Sequence, residues 1–484
     1  MSFLLEEKEV RLLSNSYPRL LLGAPKSGSG KTMITCGLLT AFQLRGVSCR
    51  SFKCGPDFID PMFHKQVQGI EGGNLDTYFL EKEQVKNQFI SLSEGAELSV
   101  IEGVMGYYDG VGGNTTQAST YDVACAIDAP AILILDCKGA SLSLAAIVKG
   151  FLEYKNDSHI AGIILNRTSE MMAKRLVPEF EALGVKVYGY LPQCDEACLD
   201  SRHLGLVLPA EIGGLKEKLK RLAEIMETTL DIDGLLKLAG QANPLFVSNS
   251  NLGEDIDPES QKEADQVSIG VAMDEAFCFY YQENLELLKR MGAKLVPFSP
   301  CKDSKLPEGI SGLLLGGGYP ELHANELSEN ESMRAEIKQA YERSLPILAE
   351  CGGFMYLHEE LSTDDGTYKM AGIIGGKVFP TKRLGRFGYI EVYPKEDLAF
   401  LKKGESIRGH EFHYWDSENN GDHMTAVKPG QSRSWDCVHG TNHLMAGFPH
   451  FYYPSNPSLP RQFMNACKNY KSQELCEKPI TGKV

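Results

Sequence analysis

The sequence predicts an α/β protein made of two doubly wound domains, and three observations point to this. Short apolar runs of strand length alternate with helical patterns through the first half of the chain, which is typical of a parallel sheet covered on both faces. A polar and acidic segment interrupts that alternation at 241–266, and a second series of the same kind follows. The 484 residues are also too many for one ordinary hydrophobic core. We therefore expect a first domain over 15–240, a linker over 241–265, a second domain over 266–460 and a peripheral tail over 461–484.

Each half has its own predicted elements, placed by hydrophobic periodicity and by glycine or proline stops. In the first half, the apolar runs lie at 20–24, 47–53, 98–102, 131–136, 160–166 and 186–191, and the helical patterns lie at 31–45, 142–154 and 171–183. In the second half, the runs lie at 267–273, 294–298, 312–315 and 346–350, with helical patterns at 283–291 and 331–343. The sequence therefore predicts one parallel sheet in each half.

The composition excludes several classes of function. The chain is 43% hydrophobic and 23% charged, with a formal net charge of −15. Because no Lys/Arg-rich stripe offsets that charge, we do not expect nucleic acid as a partner, and an anionic substrate would need a local cationic pocket. The thirteen cysteines are scattered, the first residues lack a signal-peptide pattern and no apolar run could span a bilayer. We expect a cytoplasmic protein with no membrane partner.

A phosphate-binding loop is predicted in the run PKSGSGKT, which follows an apolar run and precedes a helical pattern. In that context Gly28 and Gly30 let backbone N–H groups face a polyphosphate. Lys31 would reach the β- and γ-phosphates, and the Thr32 hydroxyl would bind Mg²⁺. The first half is therefore expected to bind a nucleoside triphosphate with Mg²⁺.

This loop departs from the commonest pattern at its first position, where Pro25 replaces a glycine. The run instead resembles the deviant P-loop, whose additional lysine would here be Lys26. Lys26 either contacts a phosphate across a subunit boundary or is a solvated loop lysine. The nucleotide-binding residues that we expect are Lys26, Gly28, Ser29, Gly30, Lys31, Thr32 and Asn166.

Acidic residues at two predicted strand ends are candidates for holding the metal. KCGPDFIDP supplies Asp57 and Asp60, and IEGVMGYYDG supplies Glu102 and Asp109. Because ligands bind at the carboxyl ends of parallel strands and Mg²⁺ prefers oxygen ligands, we expect metal or substrate roles for these four side chains. Asn166 ends another predicted strand, where it either reads a nucleotide base or is an ordinary turn asparagine.

A nucleophilic cysteine is predicted in the second half. LPILAECGGFMYL places Cys351 between an apolar run and a helical pattern, with two glycines after it. The glycines permit the sharp turn of a nucleophile elbow, and a helix N-terminus would lower the pKa of the thiol. Another glycine run, at 316–318, directly follows a predicted strand. The oxyanion hole expected from these N–H groups consists of Gly317, Gly318 and Gly352.

Three histidines are candidates for the general base. They are His450, in GFPHFYYP, and His410 and His413, in RGHEFHYW. The spacing H-E-x-H is not the H-E-x-x-H of zinc proteases, so a metalloprotease is excluded. We choose His450 as the base, although spacing alone does not separate it from the other two.

Taken in order, these motifs resemble the cobyrinic acid a,c-diamide synthase family. The resemblance runs from about Arg19 to Asn456 and rests on GSGKT, CGPDFIDPMFH, GNLDTYFL, EGVMGYYDG, SRHLGLV, DEAFCFYY, FSPCKDSKLP, GGGYPELHANELS, ECGGFMYL and RGHEFHY. It implies a dethiobiotin-synthetase-like P-loop domain for ATP-dependent amide synthesis, followed by a class I glutamine amidotransferase domain.

In that family, ATP activates the a and c acetate side chains of a corrin, cobyrinic acid, as acyl phosphates, and ammonia released from glutamine converts them to amides. The resemblance implies that Cys351 forms the γ-glutamyl thioester with His450 as its base. It implies that Lys31 and Thr32 hold ATP and Mg²⁺. The other residues for which it implies a metal or substrate role are Glu102, Asp57, Asp60 and Asp109.

Two departures and several alternatives stay open. Many amidotransferases carry Glu two residues after the histidine, where this chain has Tyr452, and Lys26 stands where small residues are more usual.

The motifs are shared with relatives that amidate nickel sirohydrochlorin, so the identity of the substrate ring and its metal is open. Two other classes are a regulatory P-loop ATPase with an inactive glutaminase-like domain and a non-enzymatic carrier. A homodimer, with an ammonia path within or between chains, is also left open.

Overall fold

The computed structural model describes residues 16–194, 201–202, 205–206, 214–247 and 266–477. The chain divides into two compact units, Met1–Leu252 and Gly253–Val484. In these described ranges, no helix combines the length and the apolar character needed to cross a bilayer.

Seven parallel strands form the sheet of the first unit. They are β1 Arg19–Gly23, β2 Cys49–Cys54, β3 Gly72–Leu75, β4 Leu98–Glu102, β5 Ala131–Asp136, β6 Ile160–Asn166 and β7 Lys186–Leu191. Their spatial order is β3-β2-β4-β1-β5-β6-β7. Because the winding direction reverses around β1, the carboxyl ends of β1 and its neighbour β4 border the crevice where open α/β sheets bind ligands.

Helices cover this sheet, as the alternating pattern predicts. They are α1 Lys31–Leu44, α2 Ile59–Phe63, α3 Lys82–Ser93, α4 Thr120–Ala126, α5 Ser143–Glu153, α6 Glu170–Glu181, α7 Leu215–Thr229 and α8 Ile232–Gly240. A core of fully buried side chains joins β1 and β5 to α1, with Leu22, Ile134 and Phe42 among its members. The motif SRHLGLV falls on two short paired strands, β8 Ser201–Arg202 and β9 Gly205–Leu206, and its remaining residues lie outside the described ones.

One strand of this sheet was absent from the sequence-based expectation. β3 has the sequence GGNL and lacks the apolar run that marks a buried strand. Gly72 lies so close to β2 that a Cβ atom built there would stand 1.5 Å from the Ser51 carbonyl oxygen. Close backbone packing against β2 therefore determines the position of this strand, and its sequence has no hydrophobic pattern from which to predict it.

The second unit contains a six-stranded sheet and two smaller sheets. Its strands are β10 Val267–Ala272, β11 Ala293–Phe298, β12 Gly312–Leu315, β13 Ile347–Glu350, β14 His358–Thr363, β15 Gly366–Lys369, β16 Ile374–Pro380, β17 Arg386–Pro394, β18 Ile407–His413, β19 Trp415–Ser417, β20 Met424–Val427, β21 Ser434–Cys437, β22 His439–Gly440, β23 Leu444–Gly447 and β24 His450–Phe451. The large sheet has the order β11-β10-β12-β13-β23-β22, and only its edge pair β22–β23 is antiparallel. The four predicted strands form its parallel part together with β23, which pairs parallel with β13 and was not predicted.

The smaller sheets, ordered β21-β20-β17-β18-β24 and β15-β14-β16-β19, were not predicted. Their strands mix charged residues and glycines with apolar ones, as in RFGYIEVYP of β17, so they lack the continuous apolar runs of the parallel strands. The first of these sheets nevertheless carries His410 and His450 on the paired strands β18 and β24.

Among the described residues of the second unit, the α-helices are α9 Gln282–Arg290, α10 Ala324–Glu329, α11 Glu331–Glu342, α12 Gly352–Tyr356 and α13 Ser458–Glu477. The peripheral tail expected over 461–484 is wrong for the first turns of α13. Leu459, Phe463 and Cys467 are completely buried in the core, because their four-residue spacing gives the helix one apolar face. Residues 478–484 lie outside the described ones.

The predicted linker is described only at its start. The Asn243 carbonyl accepts a hydrogen bond from Arg19 Nη2 at 2.9 Å, and Leu245 is buried. Asn243 and Leu245 therefore attach this part of the segment to the first unit, whereas Phe246 and Val247 are exposed. Residues 248–265 lie outside the described ones, so the linker stays a prediction there.

Candidate active sites

The predicted phosphate-binding loop connects β1 to α1. Gly28 and Gly30 have φ angles of 74° and 94°, a left-handed conformation that glycine adopts without steric cost. Gly30 is the N-cap of α1, so the first N–H groups of that helix point toward the loop. Ser29 Oγ donates to the Lys26 carbonyl at 2.9 Å, while the Lys26 side chain is exposed. The loop thus has the backbone that phosphate binding requires.

Asn166, at the end of β6, supports this loop from beneath. Its Nδ2 donates to the Ser29 carbonyl at 2.8 Å, and its Oδ1 accepts from the Arg167 backbone N–H at 3.0 Å. A Cβ atom on Gly30 would lie 2.2 Å from Asn166 Nδ2. Because both polar atoms of the side chain bind backbone, the geometry favours a positioning role for Asn166 over reading a base.

Lys31 and Thr32 begin α1 and turn toward the end of β4. Lys31 Nζ donates to the Met105 carbonyl at 2.6 Å. Burial, together with the charge of Lys53, lowers the pKa of Lys31 to about 8. The Thr32 hydroxyl donates to Glu102 Oε1 at 2.5 Å. Two of the predicted residues, Thr32 and Glu102, are therefore in direct contact.

Lys53 is the residue of this site that the sequence interpretation missed. It lies on β2 directly opposite Glu102 of β4, and its Nζ is 2.7 Å from Glu102 Oε1. It also forms an ion pair with Asp60 and lies 4.0 Å from Asp57 Oδ2. The available signal was a lysine near the end of the strand SFKC, just before the acids of GPDFID.

Burial controls the charges of this cluster. It raises the pKa of Glu102 to about 7 and that of Asp57 to about 6, and the charge of Asp60 acts in the same direction on both. Burial alone would also raise the pKa of Asp60, but the adjacent Lys53 ammonium outweighs it and lowers that pKa. Lys53 therefore favours the ionised form of Asp60, while burial favours the protonated forms of Glu102 and Asp57.

The cluster fits a Mg²⁺ ion. Glu102 is completely buried, and its Oε2 has no hydrogen-bond partner in the part of the chain that the structure describes. Thr32 contributes a hydroxyl oxygen at the same place. Oxygen donors of this kind are those that Mg²⁺ prefers, and a buried carboxylate oxygen without a donor is costly unless a ligand satisfies it.

Asp57 and Asp109 are placed differently from Glu102. Asp57 Oδ1 accepts from the backbone N–H groups of Ile59 and Asp60 at 2.8 and 3.2 Å, at the start of α2. Asp109 is exposed, and its Oδ2 accepts from the Gly106 N–H at 3.0 Å within its own loop. The structure thus brings Asp57, Asp60 and Glu102 around Lys53 and leaves Asp109 on an exposed loop.

Cys351 occupies the predicted nucleophile elbow between β13 and α12. Its φ of 47° and ψ of −103° are strained for a residue with a side chain, and its N–H donates to the Gly447 carbonyl at 2.8 Å. The expected lowering of the thiol pKa is wrong for this structure. Burial, with the charges of Glu321 and Glu411, raises the pKa of Cys351 and outweighs the Gly352 N–H. The thiol is therefore protonated until a base takes its proton.

The three glycines expected in the oxyanion hole lie together. A Cβ atom on Gly352 would be 3.0 Å from the Gly318 nitrogen, and one on Gly317 would be 2.4 Å from His450 Cε1. The glycine loop is held by the Cys278 N–H, which donates to the Gly317 carbonyl at 3.0 Å. The glycine loop, the start of α12 directly after Cys351, and one histidine thus lie close together.

The three candidate histidines have different surroundings. His413 Nδ1 is 2.6 Å from the Trp415 carbonyl and its Nε2 is 3.1 Å from Glu411 Oε2, so both ring nitrogens are engaged. His410 stacks on His450 with ring centroids 4.9 Å apart, and its Nδ1 is 2.9 Å from the Tyr281 hydroxyl. The contact of His450 with the glycine loop favours His450 as the base.

Burial determines the charge state of His450. Burial, reinforced by His410 and His413, lowers its pKa well below the ordinary value. His450 is therefore neutral and able to accept a proton. Together with the raised pKa of Cys351, this gives a neutral thiol and imidazole, so proton transfer must accompany attack on a substrate.

Both units match known protein families. Residues 20–206 match the family described as CobQ/CobB/MinD/ParA nucleotide binding domain. Residues 268–457 match the family described as CobB/CobQ-like glutamine amidotransferase domain. A solved glutamine amidotransferase structure covers 41% of this chain and 98% of its own, at 17% identity and a TM-score of 0.30.

Curated relatives match over almost the whole chain. The cobyrinate a,c-diamide synthase of Caldanaerobacter subterraneus subsp. tengcongensis is 38% identical and covers 93% of this chain and 98% of its own length. Those of Listeria innocua and Picrophilus torridus are 37% and 35% identical, and each covers 93% of this chain and 99% of its own length. The chain therefore belongs to the cobyrinate a,c-diamide synthase family, whose members are C–N bond-forming ligases with a nucleotide-binding domain and a glutamine amidotransferase domain.

Proposed function

We propose that this enzyme amidates the a and c acetate carboxylates of cobyrinic acid, with ATP and glutamine as co-substrates, in cobalamin biosynthesis. A carboxylate oxygen attacks the γ-phosphorus of ATP, ADP leaves, and an acyl phosphate results. Ammonia then attacks the acyl carbon, loses a proton and expels inorganic phosphate, which leaves the amide.

The first unit supplies the residues for activation. The loop from Lys26 to Gly30 binds the phosphates through backbone N–H groups, and Lys31 neutralises the β- and γ-phosphates. Thr32 and Glu102, aided by Asp57, would hold Mg²⁺, and the ion would supply positive charge to stabilise the transferred phosphoryl group. Asp60 and Asp109 position the substrate in this proposal.

The second unit supplies ammonia. Cys351 Sγ attacks the amide carbon of glutamine while His450 takes the thiol proton and delivers it to the departing ammonia. The N–H groups of Gly317, Gly318 and Gly352 stabilise the tetrahedral oxyanion. Water then hydrolyses the thioester and releases glutamate.

One observation carries the proposal: the strained, buried Cys351 precedes Gly352, which adjoins a glycine loop that His450 contacts, and the same chain has the Thr32–Glu102 contact of a P-loop. The site around Cys351 releases ammonia from an amide, and the P-loop site activates a carboxylate. A regulatory ATPase would need neither an intact nucleophile nor a general base.

Mass spectrometry of the reaction products tests the substrate. The enzyme is incubated with ATP, Mg²⁺ and glutamine labelled at its amide nitrogen, with cobyrinic acid and nickel sirohydrochlorin in separate reactions. Two successive exchanges of hydroxyl for labelled amine on the corrin are expected. Exchange on the nickel ring alone would reassign the substrate and keep the chemistry, and no exchange on either ring would refute the proposed substrate class.

A further inference from the structure

Lys53 is the most deeply buried cation of the first unit's active site, and the functions assigned so far leave it without a role. Its side chain is 7% exposed and touches Glu102, which is 0% exposed. Glu102 Oε1 accepts from both Lys53 Nζ and the Thr32 hydroxyl. Lys53 Nζ thus contacts the same carboxylate that, with Thr32, fits the metal best.

The arrangement of acids allows Lys53 to change partners without leaving the cluster. The ion pair with Asp60 and the approach to Asp57 Oδ2, at 4.0 Å, hold the ammonium independently of Glu102. Among the described residues, the Glu102 oxygen without a hydrogen-bond partner is Oε2, whereas Lys53 Nζ lies on Oε1. A divalent cation bound at Oε2 would still lie close to that ammonium and repel it, because like charges interact strongly at short range in a buried site. Metal binding at Glu102 therefore weakens the hold of this carboxylate on Lys53.

The substrate of the proposed reaction also needs a buried cation. The chain carries a formal charge of −15, and the acetate carboxylate must approach ATP among three acids. In the proposed function, Lys31 neutralises the β- and γ-phosphates. Lys53 is the cation that the three acids surround, so it is the group placed to offset their repulsion of an incoming carboxylate.

We propose that Lys53 is an exchangeable counter-ion. It neutralises Glu102 until that carboxylate binds the metal, and it then contacts the acetate carboxylate of the substrate while Asp60 retains it. This inference rests on the proposed function, and it adds a substrate-binding residue whose availability depends on metal binding.

The test measures metal binding and catalysis separately. Mn²⁺ binding in the presence of β,γ-imido-ATP is followed by electron paramagnetic resonance for the wild type, Lys53→Met and Lys53→Arg. Lys86→Met is the control, because Lys86 lies on α3 and forms its ion pair with Glu83 and not with the acids around Glu102. Amidation kinetics use free ammonia, so that the glutaminase reaction does not contribute.

Removing the competing charge should tighten Mn²⁺ binding about tenfold or more in Lys53→Met, which corresponds to a change of about 1.4 kcal/mol. In the same variant, the KM for cobyrinic acid should rise at least tenfold. In Lys53→Arg, which keeps the positive charge, the Mn²⁺ affinity and the KM should both lie between those of the wild type and Lys53→Met. The control should change neither. Unchanged or weaker Mn²⁺ binding in Lys53→Met, or an unchanged KM, would overturn the proposal.

A second comparison distinguishes a folding defect of Lys53→Met from an effect on metal binding. If Lys53→Met does not fold, the double variant Lys53→Met/Asp60→Asn, which removes one charge of each sign, is compared with Asp60→Asn alone. The double variant should bind Mn²⁺ more tightly, and equal affinities would overturn the proposal. The Mn²⁺ measurement needs no ring substrate, so a wild type that amidates neither ring would refute the proposed function without affecting this result.

Discussion

Asn166 Nδ2 donates to the Ser29 carbonyl at 2.8 Å and so ties the end of β6 to the phosphate-binding loop. The contact requires a glycine at position 30, because any Cβ there would lie 2.2 Å from the same nitrogen. A residue distant in sequence thus holds the loop in the conformation that presents its N–H groups.

Gly30→Ala should displace Asn166 and weaken ATP binding about tenfold or more. The added methyl group collides with Nδ2, and the backbone at φ 94° is also strained for alanine. Gly28→Ala is the matched control, since Gly28 has a φ of 74° but nothing within 4 Å of an added Cβ atom. Calorimetric titration with an ATP analogue compares the two. Equal losses would mean that backbone strain alone, and not the Asn166 contact, is responsible.

Lys31→Ala should abolish amidation with either glutamine or free ammonia. The ammonium is expected to neutralise the phosphates, and its loss should reduce kcat/KM by about a hundredfold or more. Lys65→Ala, at an exposed position, serves as the control. Retained ammonia-dependent synthesis in Lys31→Ala would contradict the role given to this loop.

Cys351→Ser should abolish glutamine-dependent amidation by about a thousandfold or more and leave synthesis from free ammonia intact. A serine hydroxyl is a much weaker nucleophile beside a neutral imidazole. Steady-state rates with each nitrogen source test this, with Cys301→Ser as a control from the same unit. Loss of both activities would refute the division of labour between the two sites.

Gly317→Ala should also impair the glutamine-dependent reaction and spare the ammonia-dependent one, because it displaces the base and leaves the nucleophile in place. Its Cβ would lie 2.4 Å from His450 Cε1, so the base must move. Gly375→Ala, where no atom lies within 4 Å of a Cβ, is the matched control. We expect glutaminase turnover to fall at least about tenfold, while ammonia-dependent amidation stays at the wild-type rate. Unimpaired glutaminase turnover would argue against His450 as the base.

Glu350 should make the second unit less stable as pH rises. Burial raises the pKa of Glu350 to about 8, whereas an unfolded glutamate titrates near 4.3. Between these values the native state binds more protons than the unfolded state, so the free energy of unfolding falls with increasing pH and levels off above about 8. Glu350→Gln can still accept from the Tyr453 hydroxyl, which is 3.0 Å from Glu350 Oε1, and it cannot titrate.

Melting temperatures between pH 5 and 8 measure this effect. The decline should be shallower for Glu350→Gln than for the wild type, and the exposed control Glu360→Gln should follow the wild type. Part of the decline should persist, because burial also raises the pKa values of Glu102 and Glu321 to about 7. Identical declines in Glu350→Gln and wild type would contradict the raised pKa of Glu350.

Local patterns predicted much of this fold. The apolar runs that became β1, β4, β5 and β6 were visible because buried parallel strands need continuous hydrophobic sequence. The weakly apolar β3 and the antiparallel strands around β17 were not visible, because they lack continuous apolar runs and side-chain packing between strands determines their pairing. The burial of α13 was missed although Leu459, Phe463 and Cys467 follow helical spacing.

The sequence by itself determined the chemistry that is local to a turn. PKSGSGKT and AECGGF specify a glycine loop before a helix and a cysteine at a strained elbow, because a few neighbouring residues dictate those backbone conformations. Tertiary structure alone decided which distant groups act on them. It brought Lys53 into contact with Glu102, Asn166 with Ser29 and His450 with Gly317. It also raised the pKa of Cys351, because burial and charge depend on the surroundings of a side chain and not on its neighbours in sequence.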